Sequence, residues 1–202
     1  MSCYTREQIE EVMKAKGYKY FTGGDYDVNI IGVRNSETKN KVTNKFDDCL
    51  TLSYKIDGEW QFHCFPCTTD PGTHWVENVL DKNGVAILKP GQYRGSHTLR
   101  LHAGKYLALG QQKPVKVYRD NNRDDKYDLL EENVHEGIYG INIHRATSRA
   151  GGKSTQVDKW SAGCQVIADN DDWHEFLDIC QIAREKWGNS FTYTLIDSSD
   201  IS

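Results

Sequence analysis

Short apolar runs with strand-like alternation recur along this chain, each closed by turn residues, and they constrain it to a mainly β fold. Leu50, Leu52 and Tyr54 alternate with Thr51 and Ser53, and Asp57-Gly58 suits a type I′ hairpin turn into a second run over 60–65. Further runs lie at 85–88, 99–109, 115–118, 138–144, 165–168 and 191–196, and a short strand is expected within 27–34. Helix signals are few. Thr5-Arg6-Glu7-Gln8 is a capping box for a short helix with Ile9, Val12 and Met13 on one face and Gly17 placed to end it. The acidic cluster Asn170-Asp171-Asp172 opens a longer helix that stops at Gly188. Trp173, Phe176, Leu177, Cys180, Ala183 and Trp187 follow its period and form a core stripe. A chain of 202 residues suffices for one sizeable core. The polar loop over 35–48 sets the expected boundary between an N-terminal extension, 1–48 (helix, strand and polar loop), and the main domain, 49–202.

Charge and cysteine content narrow the function classes. A net charge of −4 leaves no basic footprint, so nucleic acid is not an expected partner. No apolar run is long enough for a membrane span and the N-terminal residues lack the apolar core of a secretory leader, so cytoplasmic synthesis without membrane insertion is expected. The six cysteines are too sparse for a disulfide scaffold, and reduced thiols are the simpler expectation. Cys64 and Cys67, with His63 and His74 nearby, could be half a zinc site or a redox pair; without a second such pair they read better as a strand entering a Pro-bent loop.

The chemistry-bearing pattern is His144, at the end of the run 137–144, followed by Cys164 in Trp160-Ser161-Ala162-Gly163-Cys164. Small residues before a cysteine let backbone N–H groups turn toward a reacting carbonyl. A free thiol is only slightly ionised at neutral pH, so an adjacent imidazole is the usual activator. Cysteine-dependent acyl transfer is therefore expected, against the plainer reading of a buried strand cysteine and a satisfied histidine.

This arrangement resembles the L,D-transpeptidases with a YkuD-type catalytic domain, whose signature is a strand ending in His, a loop, and Ser-His-Gly-Cys. Thr68-Thr69-Asp70-Pro71-Gly72 and Leu88-Lys89-Pro90-Gly91-Gln92-Tyr93 echo the family's small-residue turn and hairpin, so the resemblance covers roughly residues 49 to 185. It implies an L,D-transpeptidase-like β-sandwich or barrel with a helix after the cysteine strand, acting on peptidoglycan stem peptides without a cofactor. Cys164 would be the nucleophile, His144 the base, the Arg145 carbonyl its orienter, and the N–H groups of Gly163 and Cys164 the oxyanion donors, with Ser161 beside them. Ala162 stands where the family has a second histidine, and Val166 where it usually has Arg. These departures suggest a divergent, phage-type branch in which hydrolysis is favoured over cross-linking, and such a protein would be virion-associated or released to the wall. They also keep two rivals open: a non-catalytic wall-binding or virion structural protein, and a cysteine hydrolase of another amide. Tyr93, Arg94, His102 and Trp160 are the candidate substrate contacts, with His97 in the same polar and aromatic cluster.

A second pattern lies at 120–131, where Asp120, Asn122, Asp124, the Lys126 carbonyl, Asp128 and Glu131 match the ligand spacing of a calcium loop. Asp125 replaces the required glycine and a strand precedes the loop, so this is no standard EF-hand; a structural calcium stands against a solvated acidic turn. Gly151-Gly152 lacks P-loop spacing and is expected to form a mobile flap over the cleft.

Overall fold

The computed structural model describes residues 4–201. The first residues, with Cys3 and part of the stretch read as lacking a leader, lie outside the described residues. In chain order the elements are α1 (Arg6–Ala15), β1 (Asn29–Arg34), β2 (Asp48–Ile56), β3 (Glu59–Thr68), α2 (Thr73–Glu77), β4 (Val85–Leu88), β5 (Gly91–His102), β6 (Tyr106–Gln111), β7 (Val115–Asp120), β8 (Val134–Gly137), β9 (Ile143–Arg145), β10 (Gln165–Ile167), α3 (Asn170–Trp187) and β11 (Phe191–Asp197). The fold is mainly β with few helices. The strands close a barrel in the order β1-β11-β5-β6-β9-β10-β3-β2, and β4-β7-β8 form a separate small sheet. Among the described residues no helix is long and apolar enough to cross a membrane.

The β2–β3 hairpin forms where the sequence places it, with Asp57 at φ 50° and Gly58 at φ 83°. The run 99–109 is instead two strands, because Ala103 and Gly104 take positive φ and turn β5 back into β6. The run 138–144 is also broken: β8 ends at Gly137, Gly140 has φ 71°, and only β9 carries His144. In both runs the break falls at an internal glycine, Gly104 and Gly140, that takes positive φ.

The boundary expected at residue 48 does not separate an extension from a domain. It falls at the start of β2, and β1 is a wall strand, antiparallel to β2 and parallel to β11. Every residue of β1 is buried because Ile30 faces the barrel core while Ile31 and Val33 face Ile9, Val12 and Met13 of α1. A strand covered on both faces loses its alternation, which is why it reads poorly from sequence.

Helix α1 has the expected capping box on Thr5 and Gln8. Helix α3 is capped by Asp169, one residue before the acidic cluster, and ends at Gly188. It buries Trp173, Phe176, Ile179, Cys180 and Ala183 in the main core, each large side chain contributing about 1.5–3 kcal/mol. Trp187 leaves the stripe; its indole N–H donates to the Asp25 carbonyl at 2.9 Å.

The expectation of reduced thiols is overturned at Cys49 and Cys64, which form a disulfide between β2 and β3. Cys67 is a free, buried thiol. Strand β3 runs through Pro66 to Thr68, so Cys64 and Cys67, an odd number of positions apart, face opposite sides: Cys64 toward α1, Cys67 into the barrel. That parity rules out a shared metal or redox pair. His63 instead pairs with Glu175 at 3.2 Å, and His74 lies edge-on to Trp75.

Candidate active site

Parallel pairing of β9 with β10 sets Gln165 opposite Ile143 and Val166 opposite His144. Cys164, one residue before β10, therefore lies beside Asn142, on the same sheet face as His144. The loop before β10 is held from several directions. Ser161 Oγ donates to the Cys164 carbonyl at 2.7 Å and accepts from Gly163 N–H at 3.1 Å. The Gln165 amide donates to the Gly163 carbonyl at 3.2 Å, and its oxygen accepts from Tyr193 Oη at 2.7 Å inside the barrel. Gly163 has φ 131°, and a Cβ there would lie 2.3 Å from the Ala86 carbonyl of β4. The small sheet thus abuts the loop and imposes glycine.

His144 Nδ1 lies 2.8 Å from the Arg145 carbonyl. A carbonyl can only accept, so Nδ1 carries the proton and Nε2 is left as the basic nitrogen. The His102 ring stacks on His144 at 4.5 Å, and Asn142 Nδ2 donates to His102 Nδ1 at 3.4 Å. Tyr106 Oη is 3.5 Å from His144 Nδ1, with the Arg145 guanidinium 4.4 Å above the Tyr106 ring.

Cys164 is half-buried, whereas the free thiols of Cys67 and Cys180 are buried. Its Sγ donates to the Gly140 carbonyl at 3.2 Å. Burial pushes the thiol up to about 11, opposed by a hydrogen bond from the Asn142 backbone. Burial also pushes His144 down to about 4, opposed by the Arg145 carbonyl and assisted by His102. The resting pair is thus neutral thiol and neutral imidazole. Iodoacetamide should label Cys164 before Cys67 or Cys180, with a rate that climbs through pH 7 to 10 and falls in His144→Ala. Peptide mapping checks this; a rate already at its plateau by pH 6 would mean a preformed thiolate.

Several expected contacts lie elsewhere. Tyr93 Oη donates to the Lys89 carbonyl at 2.6 Å and packs against the main core, and Arg94 covers the Phe21 ring at 5.2 Å. Neither joins Cys164, because their early positions in β5 pair with β11, away from β9. His97 is fully buried, bonded to Ser96 Oγ and the Ile141 carbonyl at 2.8 Å each. His102 does reach the site. Trp160 flanks it, exposed, with its backbone N–H on the Val157 carbonyl at 2.8 Å. Gly163 N–H is committed to Ser161, so of the two expected oxyanion donors only that of Cys164 is unbonded among the described residues. The Gly151-Gly152 loop is stitched to the start of α3 through Asn170 N–H on the Gly152 carbonyl and Gly151 N–H on Asp171, which a free flap would not be.

The acidic loop gathers part of its expected ligand set. Asn122 Nδ2 donates to Asp124 and Asp128 at 3.0 Å each, and Asp120 accepts the backbone N–H groups of Asn122 and Asp128. Lys126 N–H donates to Asp124 at 2.8 Å. Glu131 is turned away, bonded to Lys89 and Tyr118, so the twelfth position of the spacing is not supplied. Among the described residues no three His, Cys, Asp or Glu side chains group as a metal set.

Gln165, Asn142, Tyr106 and Tyr193 were not identified from sequence. Gln165 follows the cysteine in a strand whose alternation points it inward, the one signal available. His97, like His144, is pushed down to about 4 by burial. A folded-state pKa below the unfolded value near 6.5 supports stability above 6.5, and that support is withdrawn as pH falls toward 4, by about 2 kcal/mol per ring at pH 5. Asp48 acts oppositely, because burial and Asp70 push its carboxyl up to about 7. His97→Gln should therefore flatten the acid limb of stability between pH 7 and 5, as read by urea unfolding; an unaltered limb would sink the assignment.

A cleft of about 340 Å³ opens beside the loop, lined by Ala162, Tyr139, Trp75 and Arg119 among others. Comparison with known protein families, characterised proteins and solved structures finds no match.

Proposed function

We propose that this protein is a cysteine-dependent acyl-transfer enzyme of the L,D-transpeptidase kind, acting on peptidoglycan stem peptides. The observation that carries it is the Arg145 carbonyl on His144 Nδ1, which leaves Nε2 basic on the sheet face shared with Cys164, the one half-buried free thiol among the described residues. Cys164 Sγ attacks a stem carbonyl as His144 Nε2 takes its proton, Cys164 N–H faces the developing oxyanion, and His144 returns the proton to the departing amine. Water or a second amine then resolves the thioester. Ala162 contributes only a methyl to the cleft wall, so water competes well and hydrolysis exceeds cross-linking.

A second reading, a wall-binding or virion structural protein that keeps the scaffold without the chemistry, is favoured by the thiol's bond to Gly140 and the occupied Gly163 N–H. Intact mass after incubation with purified stems separates the two. Adduct on Cys164 with shortened stems supports catalysis, cross-linked dimers as the main product reverse the preference for water, and unmodified protein with intact stems favours the second reading.

A further inference from the structure

Strands β10, β3, β2 and β1 are neighbours in the barrel wall, and a chain of hydrogen bonds crosses them from the cysteine loop to Arg34, which ends β1, and Asp48, which starts β2. Its centre is Thr69, fully buried just beyond the end of β3. Asp48 Oδ2 accepts the Thr69 backbone N–H at 2.6 Å and the Thr69 hydroxyl at 2.9 Å, while Oδ1 accepts Asn35 N–H at 2.8 Å. With its proton given to Asp48, the hydroxyl accepts from Arg34 Nε at 3.1 Å, and Arg34 Nη2 donates to the Thr69 carbonyl at 3.2 Å. That carbonyl also accepts the Gln165 amide at 3.4 Å, the same amide that bonds Gly163 inside the cysteine loop. Further along the turn Gly72 N–H donates to the carbonyl of Ser161, whose hydroxyl holds Gly163 and Cys164.

Arg34 and Asp48 are both buried, and Arg34 pairs with Asp70 at 2.9 Å while its Nη1 is buried without an acceptor. Buried charges that leave a donor unmet are a poor source of stability compared with apolar packing of the same volume. What they supply here is direction, because each fixes Thr69 through two bonds at once. Cys164 Sγ donates to Gly140 and His144 Nδ1 to Arg145, so no direct bond joins thiol and imidazole among the described residues. Their relative placement is set by the anchors of the loop that carries Cys164.

We infer that Arg34 and Asp48 are positioning residues for Cys164, which act through Thr69 to fix the loop carrying the thiol relative to His144. This deepens the acyl-transfer reading and rests on it for the chemistry, though not for the pairing of thiol with imidazole. It also makes residues within the stretch 1–48 part of the frame of the candidate site.

The test is a double-mutant cycle read by iodoacetamide labelling of Cys164 at about pH 8. In the otherwise unaltered protein His144→Ala should slow labelling at least about tenfold, because no imidazole takes the thiol proton. Thr69→Val keeps the shape of the side chain but removes the hydroxyl that joins Asp48 to Arg34, and in that background His144→Ala should change the rate less than about threefold. Thr69→Ser returns the hydroxyl and should restore the full factor. Arg34→Lys keeps the charge without the fork, so its factor should fall too; it carries the test if melting curves show that Thr69→Val does not fold. A merely structural role would lower the melting temperature and leave the His144 factor intact in the folded variants. That result, a Thr69→Ser protein that behaves like Thr69→Val, or labelling of Cys180 that rises in step with Cys164 overturns the inference. Labelling that ignores His144 in the unaltered protein overturns it together with the acyl-transfer reading. A factor that collapses in Thr69→Val, with no adduct or stem cleavage by the unaltered protein, sinks that reading and leaves this inference standing.

Discussion

On the proposed acyl-transfer reading, Cys164→Ala is expected to end adduct formation and to slow stem cleavage at least about a thousandfold, because the thiol is the group that forms the thioester. His144→Ala should cost about two to four orders of magnitude, since the thiol is pushed up to about 11 by burial and needs a base to take its proton. The double variant should be no slower than the worse single one, as expected for residues that act together. Cys164 is only half-buried and the exchange to alanine is small, so melting should change little. Stem cleavage followed by mass spectrometry checks the series; a Cys164→Ala protein that cleaves at the normal rate removes this residue from the chemistry.

The second large effect is structural. Gly163→Ala places a methyl 2.3 Å from the Ala86 carbonyl and forces φ 131° on a residue with a Cβ. Backbone strain of this kind costs about 1–3 kcal/mol, and displacement of β4 adds to it, so a loss of about 3 kcal/mol or more is expected in urea unfolding. The same change should also slow alkylation of Cys164, because β4 must back away from the loop that presents the thiol. Wild-type stability together with wild-type labelling would mean that the small sheet does not constrain the site. Ala162→Gly, one position earlier, tests the specificity of that argument and should cost about 1 kcal/mol or less.

Local signals carried well where one residue type does one physical job. Thr5 and Gln8 cap α1 because hydroxyl and amide side chains satisfy free N–H groups, and Asp57-Gly58 turns the β2–β3 hairpin because those residues tolerate positive φ. The helical period of Trp173, Phe176, Cys180 and Ala183 located α3 and its buried face. His144 and Cys164 stood out from their order and from the small residues beside the cysteine, a short-range pattern that needs no knowledge of the fold. Tyr93 and Arg94 were drawn into the site by proximity in sequence to His97 and His102, but β5 is long, and its two ends meet different partners.

By itself the sequence determined the mainly β class, the two larger helices and the pair of residues on which a function can be argued, because propensity, capping and periodicity act within a few residues. The tertiary structure alone decided that β1 closes the barrel, that Cys49 meets Cys64, that Gly163 N–H is taken by Ser161, and that Arg119 shares a wall with Ala162. Each of these depends on strand register or on packing between distant segments, and a one-residue slip in register would put every side chain of that strand on the other face. The thiol's raised pKa has the same origin. It is a property of burial between β4, β9 and β10 that the residues flanking Cys164 do not contain.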